Sequence, residues 1–224
     1  GTNGNWLQGV RELTAGNPNV TWEKATKINV GMDAGFFQDK LHAYVDFFWE
    51  DRKDILVSNA STLPAVTSLP ANYVNEGRVK NHGFEVTLNW EQKFGDFRYS
   101  ISPNFAYAKN EIIEMLEVKP LYDYLSRTGL PVGQRFGYDL FEFYEQGATE
   151  ERYFAKYGVE MPNQNVQLKN GDAIYVDLNG DNVIDANDQK PLGYTDVPEI
   201  TYSVNFNFQW KGLDFTMLWI GADH

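Results

Sequence analysis

The chain has 224 residues, with 19 Lys+Arg against 31 Asp+Glu and a net charge of −12. That acidic balance argues against nucleic acid as a partner, because a phosphate backbone calls for a Lys/Arg surface. Cysteine is absent, which excludes disulfide frameworks, thiolate nucleophiles and Cys-type zinc sites.

The chain opens Gly1-Thr-Asn-Gly-Asn-Trp6, with no initiator Met and no basic-then-apolar leader. It therefore reads as a processed chain or as a piece of something longer. No run approaches the roughly 18 apolar residues of a spanning helix. The mean hydropathy of −0.47 leaves a membrane β-barrel open, since only alternate strand residues of such a barrel face lipid.

Six segments alternate with period two, the mark of strands with one apolar face. They lie near 22–36, 41–50, 83–94, 97–108, 199–211 and 213–222. In chain order the apolar sets are Ile28, Val30, Met32, Ala34 and Phe36; Leu41, Ala43, Val45, Phe47 and Trp49; and Phe84, Val86, Leu88 and Trp90. Then come Phe97, Tyr99, Ile101, Phe105 and Tyr107; Ile200, Tyr202, Val204, Phe206, Phe208 and Trp210; and Leu213, Phe215, Met217 and Trp219. Strict alternation allows only two orientations. Lys27, Asn29, Glu85, Thr87, Asn205 and Asn207 are expected on the face opposite to Ile28, Val30, Met32, Phe84, Val86, Leu88, Val204, Phe206 and Phe208.

Short turns at Phe37–Lys40, at Phe94–Phe97 and at Lys211–Leu213 join the strands in pairs, and long connections, 51–80 and 109–198, separate the pairs. Short turns at one end and long loops at the other suit a transmembrane barrel, whereas a soluble sandwich spaces its turns more evenly. Rings gather beside the short turns (Phe36, Phe37, Trp90, Phe94, Phe97, Tyr99, Trp210, Phe215), as in an aromatic girdle. The alternative is that these rings form the core of a sandwich. Ser58 to Ala71 reads as an exposed loop, and 112–125 as the place for a short helix.

The sharpest local motif is Asp177-Leu-Asn179-Gly-Asp181-Asn-Val183-Ile-Asp185-Ala-Asn-Asp188. Ca²⁺ takes about six to eight oxygens, and an EF-hand-type loop supplies them from positions 1, 3, 5, 7, 9 and 12. Those positions are Asp177, Asn179, Asp181, the Val183 carbonyl, Asp185 and Asp188, so a structural Ca²⁺ is expected. Asn182 replaces the usual Gly at position 6, tolerable because Asn reaches left-handed backbone. The competing reading is an Asx-rich turn bonded to its own backbone.

Catalytic patterns are missing. His42, His82 and His224 lack metalloprotease spacing, no Gly-x-Ser-x-Gly elbow occurs, and Glu150-Glu151 and Glu111/Glu114 read as solvated charges rather than a glycosidase pair. No enzyme is expected. In the second long loop Tyr122, Tyr124, Tyr138, Phe141, Phe143, Tyr144, Tyr153, Phe154 and Tyr157 could line a ligand site or pack on one another.

Four stretches carry a resemblance. The run from Asn17 to Phe37 resembles a signature of the SusC/RagA family of TonB-dependent outer-membrane transporters. Asn75-Glu-Gly-Arg-Val-Lys-Asn-His-Gly-Phe-Glu-Val-Thr-Leu-Asn89 resembles the next, and Val132-Gly-Gln-Arg-Phe-Gly-Tyr138 the loop that follows. Asp177 to Asp185, then Leu192-Gly-Tyr194 and Pro198 to Tyr202, resembles the approach to the last strands. The resemblance implies an all-β, antiparallel transmembrane barrel of about 22 strands, multi-pass in a Gram-negative outer membrane. It also implies a plug, energy from TonB, a SusD-like surface lipoprotein as lid, and an oligosaccharide or peptide as substrate. Six strands cannot close a barrel, for which about eight is the minimum. The chain is therefore expected to be a C-terminal portion of one, without the plug, the TonB-contacting segment and the terminal strand. The rival of another class is a soluble, calcium-stabilised β-domain acting as an adhesin or glycan-binding module.

Overall fold

The computed structural model describes residues 16–60 and 72–224. The chain's first residues and most of the Ser/Thr/Pro-rich loop expected over 58–71 lie outside these. Six long strands form one antiparallel sheet: β1 (Lys24–Phe36), β2 (Leu41–Ser58), β3 (Tyr73–Phe94), β4 (Phe97–Glu114), β9 (Ile200–Trp210) and β10 (Leu213–Asp223), ordered β1-β2-β3-β4-β9-β10. Each of the six alternating segments becomes one of these strands.

The register turns the alternation into continuous rows. Val30, Phe47, Phe84 and Tyr107 stand side by side, and Met32, Val45, Val86, Phe105 and Tyr202 form the row beneath them. The opposite face carries rows such as Asp33–Tyr44–Thr87–Asn104–Ser203. Asn104 Nδ2 donates to Thr87 Oγ1 at 2.7 Å and Asn207 Nδ2 to Ser100 Oγ at 3.2 Å on that face. The expected partition of side chains between two faces is what forms over 28–49, 82–107 and 200–219, where the register preserves parity.

Nothing resembling a sandwich follows. Among the described residues no apolar side chain of the six-stranded sheet is buried, and Val30, Phe47 and Trp219 remain 62%, 56% and 64% exposed. A sandwich would have enclosed these rings between two layers. The fully buried side chains, Tyr153, Ile174, Thr149, Asp188 and Pro162, all lie in the connection between β4 and β9.

Turn chemistry sets the short ends. Lys211 and Gly212 both have positive φ (46° and 85°), as a two-residue hairpin whose twist matches its strands requires. Around these turns the rings form one belt: Phe37 meets Trp90 at 6.0 Å, Phe97 meets Phe208 at 6.2 Å, and Phe208 meets Phe215 at 6.1 Å. Two rings instead fill space left by glycine. Phe48 lies over Gly83 and Tyr202 over Gly221, so a Cβ at either glycine would strike the ring.

Three strand ends differ most from the sequence expectation. β2 runs on to Ser58, β3 begins at Tyr73 and β4 ends at Glu114, so the long connections shrink to 59–72 and 115–199. Beyond Trp49 and before His82 charged residues occupy both faces, which erases the apolar alternation while the backbone ladder continues. Register shifts near Arg52/Ile55 and Arg78/Val79 further break the period. The short helix expected over 112–125 is a correction: that stretch is the end of β4 followed by a single 3₁₀ turn at Asp123–Leu125.

Candidate functional site

The long connection after β4 folds into a module of its own. It contains two small ladders, β5 (Phe136–Tyr138) with β8 (Gln189–Pro191), and β6 (Leu140–Phe143) with β7 (Ala173–Tyr175). Helix α1 spans Ala148–Tyr157. Its signal was present in the sequence: Glu150 and Glu151 in the first turn and Lys156 in the last complement the helix dipole. Gly158, at φ 73°, ends it in the left-handed region. With Gly147 before it and Gly158 after it, the segment is bounded at both ends. Thr149 Oγ1 accepts the Glu145 N–H at 2.8 Å, and Tyr144 donates its hydroxyl to Glu150 at 2.7 Å. That hydroxyl holds the Glu150 carboxyl below the usual glutamate range.

The aromatic residues of this module mostly pack on one another. Tyr153 is 1% exposed and meets Phe141 edge-on at 5.0 Å and Tyr157 at 4.7 Å. Tyr138 lies 5.1 Å from Tyr175, and Tyr122 stacks on Tyr124 at 5.4 Å. With Ile174, Val176 and Ile184 they make the module's core. Phe143 and Phe154 are exposed on its surface, and Tyr157, at its edge, is partly exposed as well.

A strap fastens the module to the rim of the sheet. The Glu117 carboxylate accepts the N–H groups of Arg127 and Thr128 and the hydroxyls of Ser126 and Thr128. Burial pushes this carboxyl up, but the hydrogen bonds together outweigh burial and hold it below the ordinary value. The returning chain then pairs with β4, Gly129 donating to the Ile112 carbonyl at 2.8 Å and Ile112 to that of Leu130 at 2.9 Å. Asn110 Oδ1 accepts the Val132 N–H at 2.7 Å. Under the strap lies an open cavity of about 670 Å³ whose lining includes Asn75, Glu76, Glu114, Leu116, Lys119 and Asp123. A second, of about 510 Å³, lies between Tyr153, Tyr157, Glu160, Asp177 and Asn182.

The predicted Ca²⁺ ligands are brought into one loop, where their oxygens face backbone amides. Asp177 accepts from Gly180 at 2.6 Å and Asn182 at 2.7 Å, Asn179 from Asp181 at 2.9 Å, and Asp181 from Val183 at 2.9 Å. Asp185 accepts from Asn187 at 2.7 Å, while Asp188, fully buried, accepts from Leu178 at 2.8 Å and Asp185 at 2.9 Å. Asn182 takes the left-handed conformation (φ 68°) that position 6 requires. Val183 forms a parallel bridge with Asn163. Among the described residues no group of three or more His, Cys, Asp or Glu side chains converges as a metal site would need. The expected Ca²⁺ ligands Asp177, Asn179, Asp181, Val183, Asp185 and Asp188 thus share one Asx-bonded turn, and calcium there remains an expectation of the EF-hand-type spacing. Each short carboxylate reaches an amide two to five residues away before it can reach another carboxylate.

The three histidines do not come together. His42 and His82 lie opposite Asn89 and Trp49 on different faces of the sheet, and His224 stacks on Tyr194 at 4.6 Å. What the geometry offers is concave, mixed polar and apolar surface on a rigid rim module, which suits binding.

A six-stranded antiparallel sheet with one uncovered apolar face, short turns at one end and a folded loop module at the other defines a stretch of β-barrel wall. The family described as TonB-dependent receptor-like, beta-barrel matches residues 2–223, and the chain belongs to it. It is 23% identical to TonB-dependent receptor P3 of Formosa agariphila over 94% of this chain and 21% of that protein. It is 26% identical to TonB-dependent receptor SusC of Bacteroides thetaiotaomicron over 89% of this chain and 19% of that protein. Among solved structures, the RagAB peptide importer in its open-open state superposes with a TM-score of 0.66 at 22% identity, over 94% of this chain and 22% of that one. The chain thus spans about a fifth of the length of the relatives it matches. These relatives are receptors and a transporter, not enzymes.

Proposed function

We propose that this chain supplies wall and extracellular loops to a TonB-dependent transporter of a Gram-negative outer membrane. The apolar face meets lipid, the polar face lines the lumen, and the short turns lie on the periplasmic side. The observation that carries the reading is the uncovered apolar face. Burying one Val, Leu or Phe side chain is worth roughly 1.5–3 kcal/mol, so this many exposed apolar rows call for a non-aqueous neighbour.

The substrate is an oligosaccharide or a peptide, captured beneath a SusD-like lipoprotein that docks on the outer loops. Entry through the barrel is driven from the inner membrane through TonB. Support comes from the family and from the SusC and RagAB likenesses, each of which concerns a whole protein of which this chain matches about a fifth. The test is uptake by cells carrying the full-length protein, with labelled oligosaccharides and peptides, with and without TonB. Transport of neither class, or transport that persists without TonB, overturns the proposal.

A further inference from the structure

Two similar stretches meet at the base of the loop module. Pro131-Val-Gly133-Gln134 leads into it and Pro191-Leu-Gly193-Tyr194 leads out, each with a glycine two residues after a proline. Both glycines have positive φ, 84° and 49°, and nothing lies within 4 Å of where a Cβ would stand. Each glycine separates a residue held by the wall from one held by the module. Before Gly133, the Val132 N–H is held by Asn110 of β4 at 2.7 Å. After Gly193, Tyr194 stacks at 4.6 Å on His224, next to the end of β10. On the module side the two stems bind each other. Leu192 donates to the Arg135 carbonyl at 2.9 Å, and the Gln134 side chain donates to the Leu192 carbonyl at 3.0 Å.

The module is otherwise a body of its own. Its strands pair β5 with β8 and β6 with β7, and none joins the six-stranded sheet. The strap holds it in place. Tyr124 donates its hydroxyl to the Asn187 carbonyl at 2.7 Å, and the Arg127 guanidinium lies 4.2 Å from the centre of the Phe136 ring. Arg135 also pairs with Asp196 across the base, but both side chains are well exposed, so that pair is worth little. Gln134 N–H closes a turn on the Pro131 carbonyl at 3.1 Å, with Gly133 at the third position, where a positive φ calls for glycine.

We infer that residues 134–192 form a flap that swings as one body about Gly133 and Gly193, with the strap as its latch. A hinge is a few loop residues that absorb a change in φ and ψ. Here the nearby prolines are fixed in φ, which leaves the glycines to absorb it. The flap is rooted on the polar face. Asn104, Ala106, Ala108 and Asn110 share that face of β4, along a stretch of register without shifts. In the membrane reading proposed above, on which this inference rests, that face lines the lumen. A flap rooted there opens and closes the outer mouth of the barrel. The latch is light, since loss of one neutral hydrogen bond shifts such a balance only about fivefold.

The test uses the full-length protein with spin labels on cysteines placed at Gln167, on the module, and Thr201, on the wall, both exposed. Pulsed EPR reads the distance between them. Wild type should give one main distance, and Tyr124→Phe should raise the share of a second about fivefold. Gly133→Ala with Gly193→Ala should raise the same second distance about tenfold, because an L-residue resists the positive φ of the latched arrangement. Gly158→Ala, equally strained but inside the module, should leave the distances alone. Should the glycine pair fail to fold, Tyr124→Phe carries the test by itself. Distances unmoved by the latch and hinge variants, or moved as much by Gly158→Ala, overturn the hinge. Labelling in cells with a membrane-impermeant thiol reagent then separates the flap from the membrane reading. Asn104→Cys should label faster when Tyr124→Phe is added, and an unchanged rate overturns control of the mouth. If Asn104→Cys labels no faster than Phe105→Cys, on the apolar face, the membrane reading itself fails.

Discussion

Glu117 and Arg127 are joined twice: both carboxylate oxygens of Glu117 accept the Arg127 backbone N–H, at 2.8 and 3.1 Å. The same carboxylate takes the Thr128 N–H at 3.1 Å and its hydroxyl at 2.9 Å. One side chain thus closes the turn that brings the chain back onto β4. Glu117→Ala should raise the opening of residues 117–128 by about 1–2 kcal/mol, the scale of a few charge-assisted bonds on a partly exposed loop. Hydrogen exchange at Arg127 and Thr128 measures it. Unchanged exchange there would show that the β4 pairing alone holds the strap.

The strap should also loosen in acid. Glu117 has its folded-state pKa depressed below the ordinary 4.5, so its contribution is fully present above that value. It is lost as pH falls through the lower, folded value. Exchange of the Arg127 and Thr128 amides, corrected for intrinsic rates, should therefore accelerate below about pH 4.5 in wild type and stay flat in Glu117→Ala. Equal acid sensitivity in both proteins would assign the effect elsewhere.

The loop module should fail without dragging the sheet with it. Ile174 is fully buried, and Ile174→Ala should cost about 2–5 kcal/mol. Limited proteolysis should then cut within 144–172, while the strands keep their resistance. Loss of the strands as well would mean that the module and the sheet fold as one unit.

The acidic loop should hold without a metal. Its carboxylates are met by amides, Asp188 most completely, at 2.8 and 2.9 Å. Adding a chelator should leave the proteolytic protection of 177–188 unchanged. Asp188→Ala, which strands buried N–H groups, should cost about 1–3 kcal/mol. If the chelator alone exposes the loop, a bound cation organises it, as the EF-hand spacing expects.

The apolar face is open to a direct probe. Val204 stands between Pro103 and Trp219 in the register. Val204→Lys should cost roughly 2–4 kcal/mol if it lies near the bilayer midplane, whereas Asn205→Lys, on the polar face, should cost far less. Folding titrations into vesicles decide it, and equal penalties would contradict the assignment of faces.

The sequence alone determined the six alternating segments and, within them, the face each side chain takes, because period-two alternation admits only two orientations and a register free of shifts cannot mix them. It also marked the short turns, through Gly95, Gly212 and their neighbours. The run of Asp and Asn from 177 to 188 was equally visible, yet a metal cage and an Asx-bonded turn share the same residues at the same spacing. The tertiary structure adds what residue type does not show, the backbone amides that each oxygen meets. Strand length beyond Trp49 was illegible for a related reason: the backbone ladder persists where charges occupy both faces, and hydrogen bonds leave no mark on residue type. The pairing of Glu117 with Arg127 is likewise a tertiary fact, set by how a long loop returns to β4.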